Sequence, residues 1–345
     1  MNVTTCGIDL AKNLFQVHGV DRRGKAVVKK QLRRDQVAEF FANMPPCLIG
    51  MEACSGAHHW ARQLTALGHT VKLMAPKFVK PYVKSNKNDA ADAEAICEAV
   101  ARPNMRFVPV KNVEQQAALS LHRARQGFIK ARTAQANQIR GLLAEFGLIV
   151  PQGIKYLSRR VPELIEDATK ELPGTFRLLV QRLLENLQYL DNQVTEIETQ
   201  INAWHRSNPL SRKVAAIPGI GALTASALVA AVGDAKTFDN SRQFAAWLGL
   251  VPKQHSSGGK TVLLGMSKRG DCYLRTLLIH GARAMLSAFE RTKKAAYDWV
   301  GKLAERRCPN IAIVALANKN ARIAWALLAN DREFRPGYAP AKAAA

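Results

Sequence analysis

The sequence predicts an α/β domain at its amino terminus, followed by a helical middle region and a mostly helical carboxyl-terminal domain. Strand and helix signals alternate over residues 1–105, whereas residues 111–147 show uninterrupted helical character. Residues 176–204 carry apolar side chains at heptad spacing, which is typical of a coiled-coil helix. The expected divisions are 1–105, 106–208, 209–335 and a disordered tail at 336–345.

Three strand signals open the amino-terminal domain, at residues 3–10, 14–20 and 26–31, with Gly24 in the turn between the second and third. The later signals are helices at 35–42, 57–67 and 88–100 and strands at 47–51 and 70–74. Three hairpin-connected strands followed by alternating helices and strands match the ribonuclease-H-like order. In that order the first and fourth strands are adjacent, and the last helix packs beside them.

The long helix at 111–147 is strongly basic. Between 111 and 140 it has six basic residues and one acid, Glu114. A solvated helix face is one interpretation, but mixed signs would serve solubility equally well, so we favour contact with a nucleic-acid backbone. The predicted contacts are Arg123, Arg125, Lys130, Arg132 and Arg140.

A heptad seam follows on the next helix. Its members are Leu183, Leu187, Leu190, Val194, Ile197, Ile201 and Trp204. The seam can pair with a second subunit in a dimer or tetramer, or fold back onto the helix at 111–147, and we favour the second subunit.

Composition points to a polyanionic partner. Lys and Arg number 50 against 27 Asp and Glu, for a formal charge of +23. The basic residues are spread along the chain, which favours nucleic acid over a membrane surface. The longest apolar stretch, 222–232, is too short to span a bilayer, and the six cysteines lack metal-ligand spacing. We therefore expect a cytoplasmic protein without a membrane partner.

Four carboxylates stand at element positions that can converge. Asp9 lies in the first strand, Glu52 ends the fourth, and Asp89 and Asp92 share one face of the last helix. Singly, each could be a surface acid or a partner of the helix dipole. Together they would repel one another unless cations lay between them, and two Mg²⁺ ions ~4 Å apart would suit phosphoryl transfer.

Two further segments suggest phosphate contacts. Gly219 and Gly221, in the run 217–221, precede an alanine-rich helix and could expose backbone N–H groups, or simply form a tight interhelical turn. In the loop 249–260, a serine could act as nucleophile, with His255, Lys260 or the metal site as its activator, or the loop could have no chemistry. Lys268, Arg269 and Arg275 are predicted phosphate contacts, as is Lys260.

Taken in order, these motifs resemble the DEDD-type transposases of bacterial insertion sequences, a group related to pilin-gene DNA invertases. The resemblance covers nearly the whole chain. It includes Gly7-Ile8-Asp9-Leu10-Ala11-Lys12, Glu52-Ala53 with Gly56, Asn88-Asp89-Ala90-Ala91-Asp92-Ala93, the runs 217–221 and 244–252, Ser257-Gly258-Gly259-Lys260, and Ser267-Lys268-Arg269-Gly270. Cys54-Ser55 makes the turn after Glu52 one residue longer than the usual family pattern.

The resemblance implies a RuvC-like domain in which Asp9, Glu52, Asp89 and Asp92 bind Mg²⁺, and a carboxyl-terminal domain with Ser257 as nucleophile. Ser256 falls at a variable family position. The resemblance also implies a site shared between subunits, donor and target DNA as substrates, and a guide RNA encoded by the element. The expected function is DNA strand cleavage and rejoining in transposition. The alternatives are a RuvC-like junction resolvase, a site-specific invertase and a non-catalytic nucleic-acid-binding protein.

Overall fold

The computed structural model describes residues 2–84, 88–292 and 298–335, without the side chains of Thr292 and Asp298. The predicted tail at 336–345 lies outside these residues. The described chain forms two compact units. The first extends to Gln115 and includes Val232–Thr237, and the second comprises Gln116–Ala231 and the described residues from Phe238 onward. The predicted boundaries at 105 and 208 stay predictions.

The first unit contains a six-stranded sheet in the order β3-β2-β1-β4-β5-β6. The strands are β1 Thr5–Leu10, β2 Leu14–Val20, β3 Ala26–Arg33, β4 Leu48–Glu52, β5 Thr70–Met74 and β6 Phe107–Val108. Strands β1, β4 and β5 are parallel, whereas β2, β3 and β6 pair antiparallel to their neighbours. The predicted adjacency of the first and fourth strands is confirmed. Strand β6 was not predicted, because two residues carry no periodic signal.

Helices cover both faces of this sheet. They are α1 Val37–Ala42, α2 Ala57–Ala66, α3 Pro76–Val79 and α4 Asp89–Val100. On one face, Ile8 and Met51 pack with Phe41 of α1 and Trp60 of α2 in a continuous apolar core. Helix α4 lies on the opposite face, because the side chains of a strand alternate between faces. The mixed α/β character of the amino-terminal domain is thus confirmed.

Two glycines let α4 approach the sheet closely. Gly7 of β1 and Gly50 of β4 are partners in the parallel register. A Cβ atom on Gly7 would lie 2.2 Å from the carbonyl oxygen of Ala93, and one on Gly50 would lie 2.7 Å from Cβ of Val100. The backbone of α4 therefore occupies the space that a side chain would fill at Gly7, and the Val100 side chain occupies it at Gly50.

The second unit is mostly helical. Its helices are α5 Val113–Ala144, α6 Ile154–Glu166, α7 Gly174–Ser207, α8 Pro209–Ala215, α9 Ala222–Val232, α10 Ser241–Trp247, α11 Cys272–Thr292, α12 Asp298–Arg306 and α13 Pro309–Ala329, with α5 beginning and α9 ending in the first unit. Strands β7 Pro252–Gln254 and β8 Leu263–Met266 form a separate hairpin. Helix α6 lies in a part of the sequence that gave no helix prediction.

Helix α5 packs against α7 within the same chain. Arg125 donates to Glu198 at 2.8 Å, Arg132 forms an ion pair with Asp191, and apolar side chains of both helices share one core cluster. Five of the seven seam residues of α7 are at most 8% exposed, namely Leu187, Leu190, Val194, Ile197 and Ile201, and the other two, Leu183 and Trp204, are partly buried. Our preference for a second subunit at this seam is therefore wrong. An apolar seam requires burial, but it does not specify whether the covering helix belongs to the same chain.

Among the described residues, the longest apolar helix is α13 and not the predicted stretch at 222–232. Within the described residues, α13 is the one helix long and apolar enough to cross a membrane, and 44% of its most apolar window is buried in the protein. It carries Asn320, which is 4% exposed, and Lys319, whose Nζ lies 4.5 Å from the ring centre of Trp299. These polar residues interrupt the apolar pattern in the sequence, which therefore does not predict a long apolar helix here.

The contact between Gly7 and α4 gives a stability test. Gly7→Ala should destabilise the first unit by about 1–3 kcal/mol, because the added methyl group meets helix backbone that must shift. Gly141→Ala is the matched control, since Gly141 lies on α5 with open space around it. That variant should match the wild type or gain roughly 0.5–1 kcal/mol. Urea unfolding followed by circular dichroism measures both, and an unchanged Gly7→Ala transition would contradict the packing argument.

Candidate functional site

The sheet and α4 bring the predicted carboxylates to one place. Asp9 follows Gly7 by two residues on β1, and Glu52 follows Gly50 by two on β4, so both acids lie on the face that α4 covers. The Asn88 side chain accepts a hydrogen bond from the Ala90 N–H at 2.9 Å, as expected for a residue that caps the start of α4. This start places two more acids, Asp89 and Asp92, in the first turn of the helix.

The geometry of the cluster is compact. Carboxylate oxygens of Asp9, Asp89 and Asp92 lie within 4.8 Å of one another. Burial raises the pKa of Glu52 above its ordinary value, and the nearby charges of Asp9 and Asp92 raise it further. The structure therefore brings Asp9, Asp89 and Asp92 together, and Glu52 lies beside Asp9, because both directly follow the paired residues Ile8 and Met51 on neighbouring parallel strands.

The longer turn after Glu52 does not displace it from β4. The Ala53 N–H donates to the Met74 carbonyl at 2.7 Å, which holds the end of β4 beside β5. Gly56 has a φ of 83°, a conformation that glycine adopts readily, and α2 begins at the next residue. Cys54 and Ser55 are exposed within this turn, so the additional length is accommodated at the surface.

Clustered carboxylates of this kind fit a hard divalent cation. Such ions bind oxygen ligands, and they would relieve the repulsion from Asp9 and Asp92, which adds to the effect of burial in raising the pKa of Glu52. Asp89 is exposed and the other three acids are half-buried, so the cluster is open to solvent on one side. A substrate phosphate could complete the ligands of a cation held there.

Ser257 lies at the tip of the hairpin formed by β7 and β8. The Lys260 N–H donates to the Ser257 carbonyl at 3.0 Å. The two residues between them, Gly258 and Gly259, both have positive φ, as a tight hairpin turn requires. The neighbouring Ser256 has a different environment, since its hydroxyl accepts from the Val262 N–H at 3.3 Å within the hairpin. Ser257 is exposed at the turn, where its hydroxyl can meet a substrate.

The basic residues in the loop 267–270 and at the start of α11 differ in exposure. Lys268 and Arg269 are exposed, and Lys268 adopts a φ of 54°, which is uncommon outside glycine. Arg275, in contrast, is 8% exposed and donates to the Leu248 carbonyl at 3.2 Å. The prediction that Arg275 contacts phosphate does not fit this position. Its charge holds the backbone next to Gly249 and is not available at the surface.

The turn at 217–221 is explained by packing at one of its two glycines. A Cβ atom on Gly219 would lie 2.5 Å from Sδ of Met285, and one on Gly281 would lie 1.8 Å from the Gly219 oxygen. Gly219 is therefore required by the close approach of α11, which is the interhelical-turn interpretation. Gly221 is exposed, has open space around it and directly precedes α9, so a phosphate contact there stays a prediction.

The predicted contacts on α5 also fall into two groups. Arg125 and Arg132 form ion pairs with α7, and Arg140 donates to the carbonyls of residues 151 and 153. The ion pairs of Arg125 and Arg132 stabilise the helical unit, and a role at a nucleic acid does not fit them. The hydrogen bonds of Arg140 lie at the surface, and its contact with a nucleic acid stays a prediction. Arg123 and Lys130 are exposed on the same helix. Together with Arg140, they remain the candidates on α5 for contact with a nucleic-acid backbone.

One buried polar network gave no sequence signal. His122 is 2% exposed, and its ring nitrogens lie 2.9 Å from the Tyr273 hydroxyl and 3.1 Å from the Ser226 hydroxyl. Burial lowers the pKa of His122 to about 4, so the ring is neutral at physiological pH. Its partners are 104 and 151 residues away in sequence, which is why spacing could not reveal them.

The raised pKa of Glu52 predicts a pH-dependent stability. The folded state holds this proton more tightly than the unfolded chain, so stability should fall as pH rises from the ordinary glutamate pKa through the raised value. In chelator-containing buffer at neutral pH, Glu52→Gln should raise the melting temperature, and the gain should disappear in acid. Glu39→Gln, at an exposed position on α1, is the control. A Glu52→Gln variant that melts like the wild type at every pH would contradict this prediction.

Comparison with known proteins assigns the family. A family model described as "Transposase" matches residues 6–147, and one described as "Transposase IS116/IS110/IS902 family" matches residues 211–298. The chain is 52% identical over 339 residues to a Pseudomonas aeruginosa protein named "Probable family 20 transposase", covering 98% of this chain and all of the relative. It is 43% identical to the transposase for insertion sequence element IS1328 of Yersinia enterocolitica, over 96% of this chain and 99% of the relative.

A more distant relative is the pilin gene-inverting protein of Moraxella bovis, which is 25% identical over 80% of this chain and 77% of its own length. The two matched segments contain the acidic cluster and the hairpin with Ser257, respectively. On these similarities, the chain belongs to the IS110/IS116 family of DEDD transposases.

Proposed function

We propose that this transposase cuts and rejoins DNA with Mg²⁺ held by Asp9, Glu52, Asp89 and Asp92, and with Ser257 as the nucleophile. The observation that carries the proposal is the convergence of four acids at the ends of β1 and β4 and the start of α4. A chain with a formal charge of +23 has little reason to gather acids where they repel, unless a cation binds there. The strand order and the position of α4 support a ribonuclease-H-like, RuvC-like domain.

The four carboxylates would provide oxygen ligands for the cation. When bound, Mg²⁺ would supply charge stabilisation for a phosphodiester during transfer. The protein itself contributes rigid placement, since Asp9 and Glu52 sit on paired strands and Asp89 and Asp92 on a helix packed against those strands. Rigid placement keeps the ligand positions fixed before the substrate arrives.

The serine step is a transesterification. The Ser257 oxygen forms a bond to phosphorus, the bond from phosphorus to a deoxyribose oxygen breaks, and that oxygen takes up a proton. The hydroxyl proton passes to a base, for which His255, Lys260 and the acidic cluster are the candidates. Reversal with another DNA end restores a phosphodiester and frees the serine, so the reaction conserves bond energy. We propose that the serine of one subunit meets the acidic cluster of another.

Exposed basic residues would hold the nucleic acids. Arg123 and Lys130 on α5, together with Lys260, Lys268 and Arg269 around the hairpin, suit the phosphates of donor and target DNA. A structured guide RNA encoded by the element is part of this proposal, since such an RNA and two duplexes would all require positive surface. The inversion alternative is supported by the similarity to the pilin gene-inverting protein.

The proposed metal ligands can be tested by substitution. Asp9→Asn should reduce DNA cleavage at least 100-fold and leave DNA binding nearly unchanged, because it removes a ligand to the cation and no contact with phosphate. Mg²⁺ should also raise the melting temperature of the wild type more than that of Asp9→Asn. The control is Asp239→Asn, an exposed aspartate elsewhere, which should behave like the wild type. Normal cleavage by Asp9→Asn would rule out this metal site.

The proposed nucleophile can be tested by trapping the covalent intermediate. Wild-type protein that is denatured during turnover should carry covalently attached DNA until protease is added, and Ser257→Ala should carry none. Ser256→Ala is the matched control, and it should keep most activity because its hydroxyl only supports the hairpin. Mixing Ser257→Ala with Asp9→Asn should restore part of the activity if the two sites meet across subunits. Normal recombination by Ser257→Ala would favour a resolvase in which water attacks.

A further inference from the structure

We propose that the outer edge of the amino-terminal sheet binds the phosphate backbone of the DNA strand presented to the acidic cluster. The surface is an outer strip of three residues on β3, Lys29, Gln31 and Arg33. This inference rests on the proposed function, because it takes the acidic cluster as the place where the DNA reacts. It adds a contact surface on the first unit to those on α5 and around the hairpin.

The register of the sheet connects this strip to the acidic cluster. Asp9 of β1 is paired with Gln16 of β2, and Gln16 is paired with Gln31 of β3. Paired residues of neighbouring strands point to the same face, so these three side chains form a row across the sheet. With strands about 4.8 Å apart, the row extends roughly 10 Å from Asp9 to Gln31.

Two basic residues flank the outer end of the row on the same face. Lys29 is paired with His18, and Arg33 with Leu14. Each is two residues from Gln31, and residues two apart in a strand share a face. Lys29, Gln31 and Arg33 are all exposed. Lys29 and Arg33 are separated by about 13 Å along the strand, comparable to four nucleotide steps at about 3.4 Å per step on one strand.

The charge around the strip is strongly positive. The segment 22–34 contains seven basic residues and no acid, and the acids that border it are Asp21 and Asp35. Asp21 accepts hydrogen bonds from the N–H groups of residues 23 and 25 and so stabilises the hairpin turn. Asp35 forms a well-exposed ion pair with Arg33, which a phosphate could replace at little cost. The border acids therefore leave a net positive edge.

The two acids of α4 outside the cluster, Glu94 and Glu98, do not cancel that charge. Lys84 forms ion pairs with Glu94 and Glu98, and Arg102 forms a second one with Glu98. Lys29 is paired with the buried His18, next to the row, and burial lowers the pKa of His18 while Glu94 opposes that shift and Lys29 adds to it. A phosphate over Lys29 and Arg33 would therefore meet a surface in which Glu94 and Glu98 already have basic partners, while the acidic cluster lies at the other end of the row.

A competing explanation is that lysines on β3 merely prevent the edge strand from pairing with other chains. That role requires charge on the edge but does not depend on the face. Lys30, paired with Val17, points to the opposite face, where its Nζ lies 5.2 Å from the ring centre of Phe40. Two adjacent lysines with opposite orientations therefore distinguish the two explanations.

The experiment compares Lys29→Gln with Lys30→Gln in the full chain. The probe is a fluorescently labelled DNA duplex, and its affinity is measured by anisotropy across a series of salt concentrations. Lys29→Gln should weaken binding and flatten the slope of log affinity against log salt by about 0.9, the value for one lost phosphate contact. The double variant Lys29→Gln, Arg33→Gln should flatten the slope by about 1.8. Lys30→Gln removes the same charge and should keep the wild-type slope.

Equal slopes for Lys29→Gln, Lys30→Gln and the wild type would overturn the proposal, as would equal losses in both variants, which indicate a diffuse charge effect. A loss confined to a structured RNA probe would also overturn it, because the surface would then serve RNA. These outcomes are independent of the proposed function, which fails separately if Asp9→Asn cleaves normally. Position is checked with a photo-crosslinking amino acid at Gln31, which should attach to DNA, and at exposed Ala38 on α1, which should not.

Discussion

The close approach of α4 to the sheet is the contact on which the first unit's site depends. Gly7 and Gly50 are paired across β1 and β4, and neither position leaves room for a side chain beneath the helix. Two residues further along each strand, the same face carries Asp9 and Glu52. Because α4 lies directly on the glycines, the acids in its first turn reach the ends of both strands. A larger residue at either glycine would lift the helix and separate the carboxylates.

The acidic cluster and the hairpin with Ser257 differ in their physical character. The acids stand on paired strands and a closely packed helix, so their positions follow from the core of the domain. Ser257 lies at the tip of a small, exposed two-stranded hairpin, and such a hairpin has little stability of its own in water. Under the proposed function, this difference suits a reaction in which a fixed metal site receives a nucleophile from another subunit. The hairpin would then be stabilised by its contacts with DNA and with the acidic cluster of the other subunit.

Charge in this protein has two separate uses. Arg125, Arg132 and Arg275 are held within the second unit by carboxylates or a backbone carbonyl, where they stabilise helix packing. Arg123 and Lys130, on the same basic helix, face solvent. The count of 50 Lys and Arg therefore overstates the number of cations available to nucleic acid, since some of them are held by contacts inside the fold. Only the side-chain contacts separate the two groups, because composition counts all arginines alike.

Strand and helix periodicity in the sequence predicted five of the six strands and α4, and with them the four acids, since local patterns and the alternation of strand faces determine these features. The resemblance of its motifs to a known family indicated transposition and singled out Ser257 from Ser256. Tertiary structure decided what depends on distant neighbours. It covered the α7 seam with α5, placed Arg275 and Gly219 in packing contacts, gave His122 its partners, and connected Asp9 to Gln31 through Gln16. Sequence periodicity predicts which face of a helix or strand is buried. Which residues pack against that face depends on the folded chain, because they come from distant parts of the sequence.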